Sequence, residues 1–227
     1  MLNELLAQWQ LFSRSADLPS EPVLLWRSES RSISISNKAG PAVPYPSVRH
    51  EDGSRNHGYR RVKGDPDAVL HIPEVADWPE FGRFLITVNH AASPIESVGC
   101  EKCFSPIGPS DDATVRLGSY VDLIFTDLAL NEQPENLLLL ASHLAMAAKD
   151  CEKWWADVEI ELERYKGIAG AKAPWGLMVK IGNAGRNEQE ARKFWGETLM
   201  RLGNAVAKLP RDFRFRATNT EPEMHAE

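Results

Sequence analysis

Residues 135–166 contain neither glycine nor proline, in a chain of 227 residues that has 15 of each. An unbroken stretch of this length restricts the fold more than any other feature of the sequence. Within it Leu137, Ala141, Leu144, Ala148, Cys151, Trp155, Val158, Leu162 and Tyr165 recur at alternating spacings of four and three. That is a heptad seam, the pattern of a helix that zips along one edge. Asn131 and Pro134 supply a start signal. The pattern predicts one helix over about 134–166, roughly 48 Å long at about 1.5 Å per residue, ending near Gly167–Gly170.

A second helix is predicted over about 187–209. Asn187 and Glu190 form a capping pair at its start. Ala191, Trp195, Thr198, Leu202, Ala205 and Leu209 form its seam, and Pro210 stops it. Matching seams suggest an antiparallel helical hairpin, a face that could also pair two chains as a homodimer. The connector includes "WGLMVKI", a short element of its own, strand or helix.

The first half reads differently. Leu2, Leu5, Leu6, Trp9 and Phe12 have helical spacing. "VLLWRS" is apolar, and "SRSISISN" alternates with period two, as a half-buried strand does. Residues 37–67 are rich in Pro, Gly, Ser and charge and read as a long loop. "AVLHI" and "RFLITVNH" read as strands, the second as a central one, and "TVRLGSYVDLIFTD" alternates again. The expected fold is therefore α+β. A small, mostly antiparallel sheet over about 20–127 is covered by the C-terminal hairpin. Residues 1–210 form one domain, with helix, sheet and loop in 1–130 and the hairpin in 131–210. A tail follows over 211–227.

Composition bounds the function. The net charge is −6, which argues against nucleic acid as the default partner. It is unevenly spread: residues 1–70 hold nine Lys and Arg against eight Asp and Glu, and the remainder 17 against 24. Glu4 stands where a signal peptide would be basic, and the apolar run 137–148 is too short to span a bilayer. Three cysteines, an odd number, point to free thiols in a reducing cytoplasm, of bacterial type. No glycine-rich phosphate loop follows a strand, and no G-x-S-x-G, H-E-x-x-H or kinase signature occurs.

Four constellations remain. Cys100 and Cys103 form a C-x-x-C behind Gly99. Zinc would need two further ligands, with His90 the first candidate, whereas the plain alternative is a turn between strands. A redox pair would want a helix after it, which "FSPIGP" forbids. The loop carries Arg49, Arg55, Arg60, Arg61 and Lys63 among His50, His57 and Tyr59, and the segment "KLPRDFRFR" carries Arg214 and Arg216. Together these suit phosphates and stacked bases if they meet in space. On the long helix, Asp150, Glu152, Asp157, Glu159, Glu161 and Glu163 lie off the seam, as a solvated face or a docking face for a basic partner. Finally, His90 with Asp111 or Asp112 and Cys100 is the one arrangement with catalytic residue types.

The leading expectation is a cytoplasmic interaction protein of adaptor, immunity or regulatory type, without catalysis or cofactor. It would hold a protein partner through Trp154, Asp157, Glu161, Arg60 and Arg61, with Trp78 and Trp175 as further anchors if exposed. A nucleic-acid accessory protein using Arg55, Arg60, Arg61, Arg214 and Arg216 is the alternative. A zinc or thiol enzyme centred on Cys100, Cys103 and His90 comes third.

Overall fold

The computed structural model describes residues 1–13, 21–51, 53, 55–106, 113–154, 156–172 and 174–215, with the side chains of 37, 38, 104–106, 152–154 and 172 left aside. The fold is α+β, as the sequence predicts. Its sheet, however, draws on the whole chain.

The sheet order is β1 (Val23–Arg27), β2 (Arg31–Val43), β7 (Ala156–Ile168), β9 (Trp175–Gly185), β6 (Val115–Phe125), β5 (Ile95–Pro106), and the short β8 (Ala171–Lys172) pairs with the end of β7. Neighbours run antiparallel except β2 and β7, which are parallel. In the chain β2 is followed by β3 (Val48–Arg49) and β4 (Arg55–Asn56), a separate two-stranded ribbon.

The rod expected over 134–166 does not form. α4 runs from Pro134 to Ala147, a 3-10 turn follows over Lys149–Trp154, and residues 156–168 are strand β7. The helix ends where Cys151 N–H bonds the Ala148 carbonyl, three residues back. Val158, Ile160 and Leu162 are then buried, and Asp157, Glu159 and Glu161 alternate with them. A spacing of four satisfies both a helix and a strand, so Val158 and Leu162 fit either. Ile160 decides it. On a helix this β-branched residue would stand among the glutamates, whereas on a strand it enters the core. α4 and α5 are therefore separated in the chain by β7 and β9, and the hairpin built on one long first helix does not form. The sheet is also not confined to 20–127, since two of its central strands come from 156–185.

α5 (Glu188–Ala207) follows its sequence signals. Asn187 Oδ1 accepts the Glu190 N–H at 2.9 Å, and Glu190 reaches back to the Arg186 N–H at 2.7 Å. Every residue of its predicted seam is buried.

α3 (Pro79–Val88) occupies most of the stretch read as a central strand. Phe81, Phe84, Leu85 and Val88 are its buried residues, an i, i+3, i+4, i+7 stripe that starts before the β-branched run, and Pro79 opens the helix. "AVLHI" likewise contributes to α2 (Pro66–Leu70), capped by Asp65, whose Oδ1 accepts the Ala68 N–H.

α1 (Leu2–Ser13), α3, α4 and α5 cover one face of the sheet. Leu117, Val121, Leu123 and Phe125 of β6 meet Leu177, Val179 and Ile181 of β9 and the apolar set of β7 in the main core there. Trp195, fully buried, donates its indole N–H to Ser119 Oγ at 3.0 Å and packs on Trp78 and Phe81. The stretch expected as a tail docks as far as Phe215: Phe213 stacks on Phe125, and the Phe215 N–H bonds Asn136 Oδ1 at 2.7 Å. No helix of the described residues is long and apolar enough to cross a membrane.

Candidate functional site

Among the described residues, no helix covers the other face of the sheet. At one end a strap, the described residues of 44–62 including β3 and β4, folds over it. Tyr45 and Tyr59 pack there on a second small core of Val43, Val98, Ile124, Tyr165 and Ile168. Beyond the strap the face is open.

The open part is built from side chains that alternate with the main core. Asp157, Glu159 and Glu161 come from β7, Lys180 from β9, Arg116 and Tyr120 from β6, and Glu101 and Cys103 from β5. Register brings them side by side: Asp157 pairs with Gly182, which pairs with Gly118 on the next strand. These glycines floor a hollow of about 260 Å3. Arg116 bridges Asp157 at 3.0 Å, and Lys180 bridges Glu161 at 2.9 Å. Glu101 and Glu159 are exposed and have no ion pair among the described residues.

Beneath the strap lie two acids that sequence reasoning missed. Asp122 on β6 and Glu163 on β7 flank β9 and are both buried. Burial, and then the charge of Glu163, push the Asp122 carboxyl up to about 8. Its Oδ1 has no hydrogen-bond partner among the described residues. The carboxylate lies so close to Gly99 that a side chain at that position would force it to move. Burial pushes Tyr45 to about 12 and Tyr165 well up, and Asp122 adds to both. The sequence hides this pair because Glu163 reads as a helix residue until β7 is known to be a strand. Asp127, just past the end of β6, caps a 3-10 turn by accepting the Ala129 N–H.

The C-x-x-C is a strand segment, not a turn. Both cysteines lie within β5, three residues apart, so they stand on opposite sides of the sheet. Cys100 packs toward the main core, and burial, Glu74, Asp122 and Glu101 push its thiol up to about 12, which keeps it protonated at neutral pH. Cys103 is exposed on the open face. His90 is exposed just after α3, its Nδ1 accepting the Ala92 N–H. No cluster of three or more His, Cys, Asp or Glu suited to a metal occurs among the described residues. Asp111 and Asp112 lie outside them.

The other expected site residues scatter. Arg61 bridges Glu96 at 3.7 Å. Arg55 and Arg60 line a hollow beneath the strap. Arg214 lines a hollow beside Pro94 and Asp127, and Arg216 lies outside the described residues. The Trp154 side chain also lies outside them. Trp175 is core, packed edge-on against Trp9, and Trp78 is half-buried between Arg192 and Lys102.

Comparison with protein-family models, with curated proteins and with solved structures finds no match to this chain.

Proposed function

We propose that the protein acts by binding another protein through the open sheet face, and that the partner presents basic side chains. The observation that carries this reading is the row Asp157, Glu159 and Glu161, held outward by the burial of the residues between them. Arg116 and Lys180 offset two of these acids, and Glu101 and Glu159 are left at the hollow with negative charge to spare. Arg116 covers Gly182, and a lysine or arginine from a partner can lay its aliphatic stem along the hollow beside it and bring its head to Glu101 and Glu159. Of the residues expected to bind a partner, Asp157 and Glu161 belong to this surface. An adaptor, immunity or regulatory role fits such a surface.

The test is capture from extracts of the source cells on the immobilised chain, repeated with Glu101→Lys combined with Glu159→Lys. Both sites are exposed, so stability should move by no more than about 0.5 kcal/mol. The partner should be held at least about tenfold more weakly. A partner retained equally by the reversed face, or one with an acidic contact surface, ends the reading.

A further inference from the structure

The hollow beneath the strap lies at the edge of the sheet and apart from the open face. Its volume is about 280 Å3, just under the range of roughly 300–1,000 Å3 usual for drug-sized ligands. Its floor is the β5 segment Ser97–Cys100. The strap roofs it with Tyr45, Arg55, His57 and Arg60, and the turn after α2 walls it with His71 and Glu74.

Arg61, Arg116, Arg186, Arg192 and Arg201 each face a carboxylate within 4 Å. Arg55 and Arg60 both line this one cavity and have no ion pair among the described residues. Arg55 is also oriented: its Nε donates to Ser47 Oγ at 3.3 Å, which leaves the two terminal nitrogens for a ligand. Ser47 Oγ in turn donates to the Asn56 carbonyl at 2.9 Å.

The roof is built without slack. Gly58 has φ +80°, and a side chain there would fall 2.7 Å from the Ser47 nitrogen. The Gly58 N–H bonds Asn56 Oδ1 and the Tyr59 N–H bonds the Tyr45 carbonyl. On the wall, His71 Nδ1 donates to the Asp67 carbonyl at 2.7 Å, which fixes the ring and leaves Nε2 free. Tyr45 donates its hydroxyl to the Val98 carbonyl at the floor.

We propose that this cavity binds a small phosphorylated molecule, its phosphoryl group held by Arg55 and Arg60 and a hydroxyl or amine of the same molecule held by Glu74. Two guanidinium forks match the oxygens of one phosphoryl group. Glu74 offsets one positive charge, and Arg61 is already engaged by Glu96, so the site suits one phosphate and not the run of phosphates along a nucleic acid.

The experiment titrates the full chain with inorganic phosphate, with phosphoserine and with a short single-stranded oligonucleotide, at matched ionic strength, and reads binding by calorimetry and amide chemical shifts. Phosphate should bind saturably and phosphoserine more tightly. Arg55→Gln and Arg60→Gln should each weaken both by about tenfold or more, as the loss of a charge-assisted fork does, with melting temperature kept. Arg214→Gln should leave both unchanged. No saturable binding of phosphate or phosphoserine overturns the proposal, as does binding indifferent to both arginines. Tight, steeply salt-dependent binding of the oligonucleotide without binding of phosphoserine also overturns it and makes the strap a nucleic-acid contact. Because the purified chain is used alone, none of these outcomes depends on the open sheet face.

Discussion

The two faces of the sheet are made from the same strands, yet they obey different physics. On the helix-covered face, residues such as Val121, Val158, Val179 and Ile181 are sealed from water, and their contribution is burial and close packing. On the other face, one residue along each strand, charges stand in pairs or alone over a glycine floor, and two acids lie buried beneath the strap. The first face holds the fold together. The second carries a small core under the strap and, beyond it, ion pairs and exposed acids.

The sharpest way to break this contrast is to damage the covered face. Trp195→Ala removes a fully buried indole together with its bond to Ser119. It should cost about 3–5 kcal/mol in denaturant unfolding, and a loss below about 1 kcal/mol would mean the covered face is not the stabilising one.

A smaller effect, of opposite sign, is expected under the strap. The folded chain keeps the Asp122 proton to about pH 8, whereas the unfolded chain sheds it near the ordinary value of 3.8. Between those values the folded state binds more protons, so stability falls as pH rises and the loss is complete above about 8. Asp122→Asn should therefore flatten the pH profile and stabilise the protein by about 2 kcal/mol at pH 9. A wild-type melting temperature that is level from pH 5 to about 9 would remove the buried acid from the argument.

The smallest effect belongs to the open face. The Arg116–Asp157 bridge has both partners nearly half exposed, so Arg116→Ala should cost less than about 1 kcal/mol, and less again in high salt. A cost of several kcal/mol would show that this face, too, is structural.

Some of this was readable in the residues. Helices α1 and α5 announced themselves through apolar spacing and, for α5, a cap and a proline stop, all local signals. β2 and β6 did so through period two. β7 did not, because a spacing of four is common to both periods and the tryptophans and cysteine before it kept the seam in phase. Asp157, Glu159 and Glu161 lie off the buried set under either reading, but only the strand brings all three to one face. Glu163 and Asp122 were out of reach, since their meeting depends on β9 lying between β6 and β7. The arginines of the strap were visible as a basic cluster, but their cavity needs the distant turn at His71–Glu74.

The parallel pairing of β2 with β7 joins residues 31–43 to residues 156–168. On the ribosome, the β1–β2 ribbon must therefore wait with one long margin unmated until more than half of the chain has followed it.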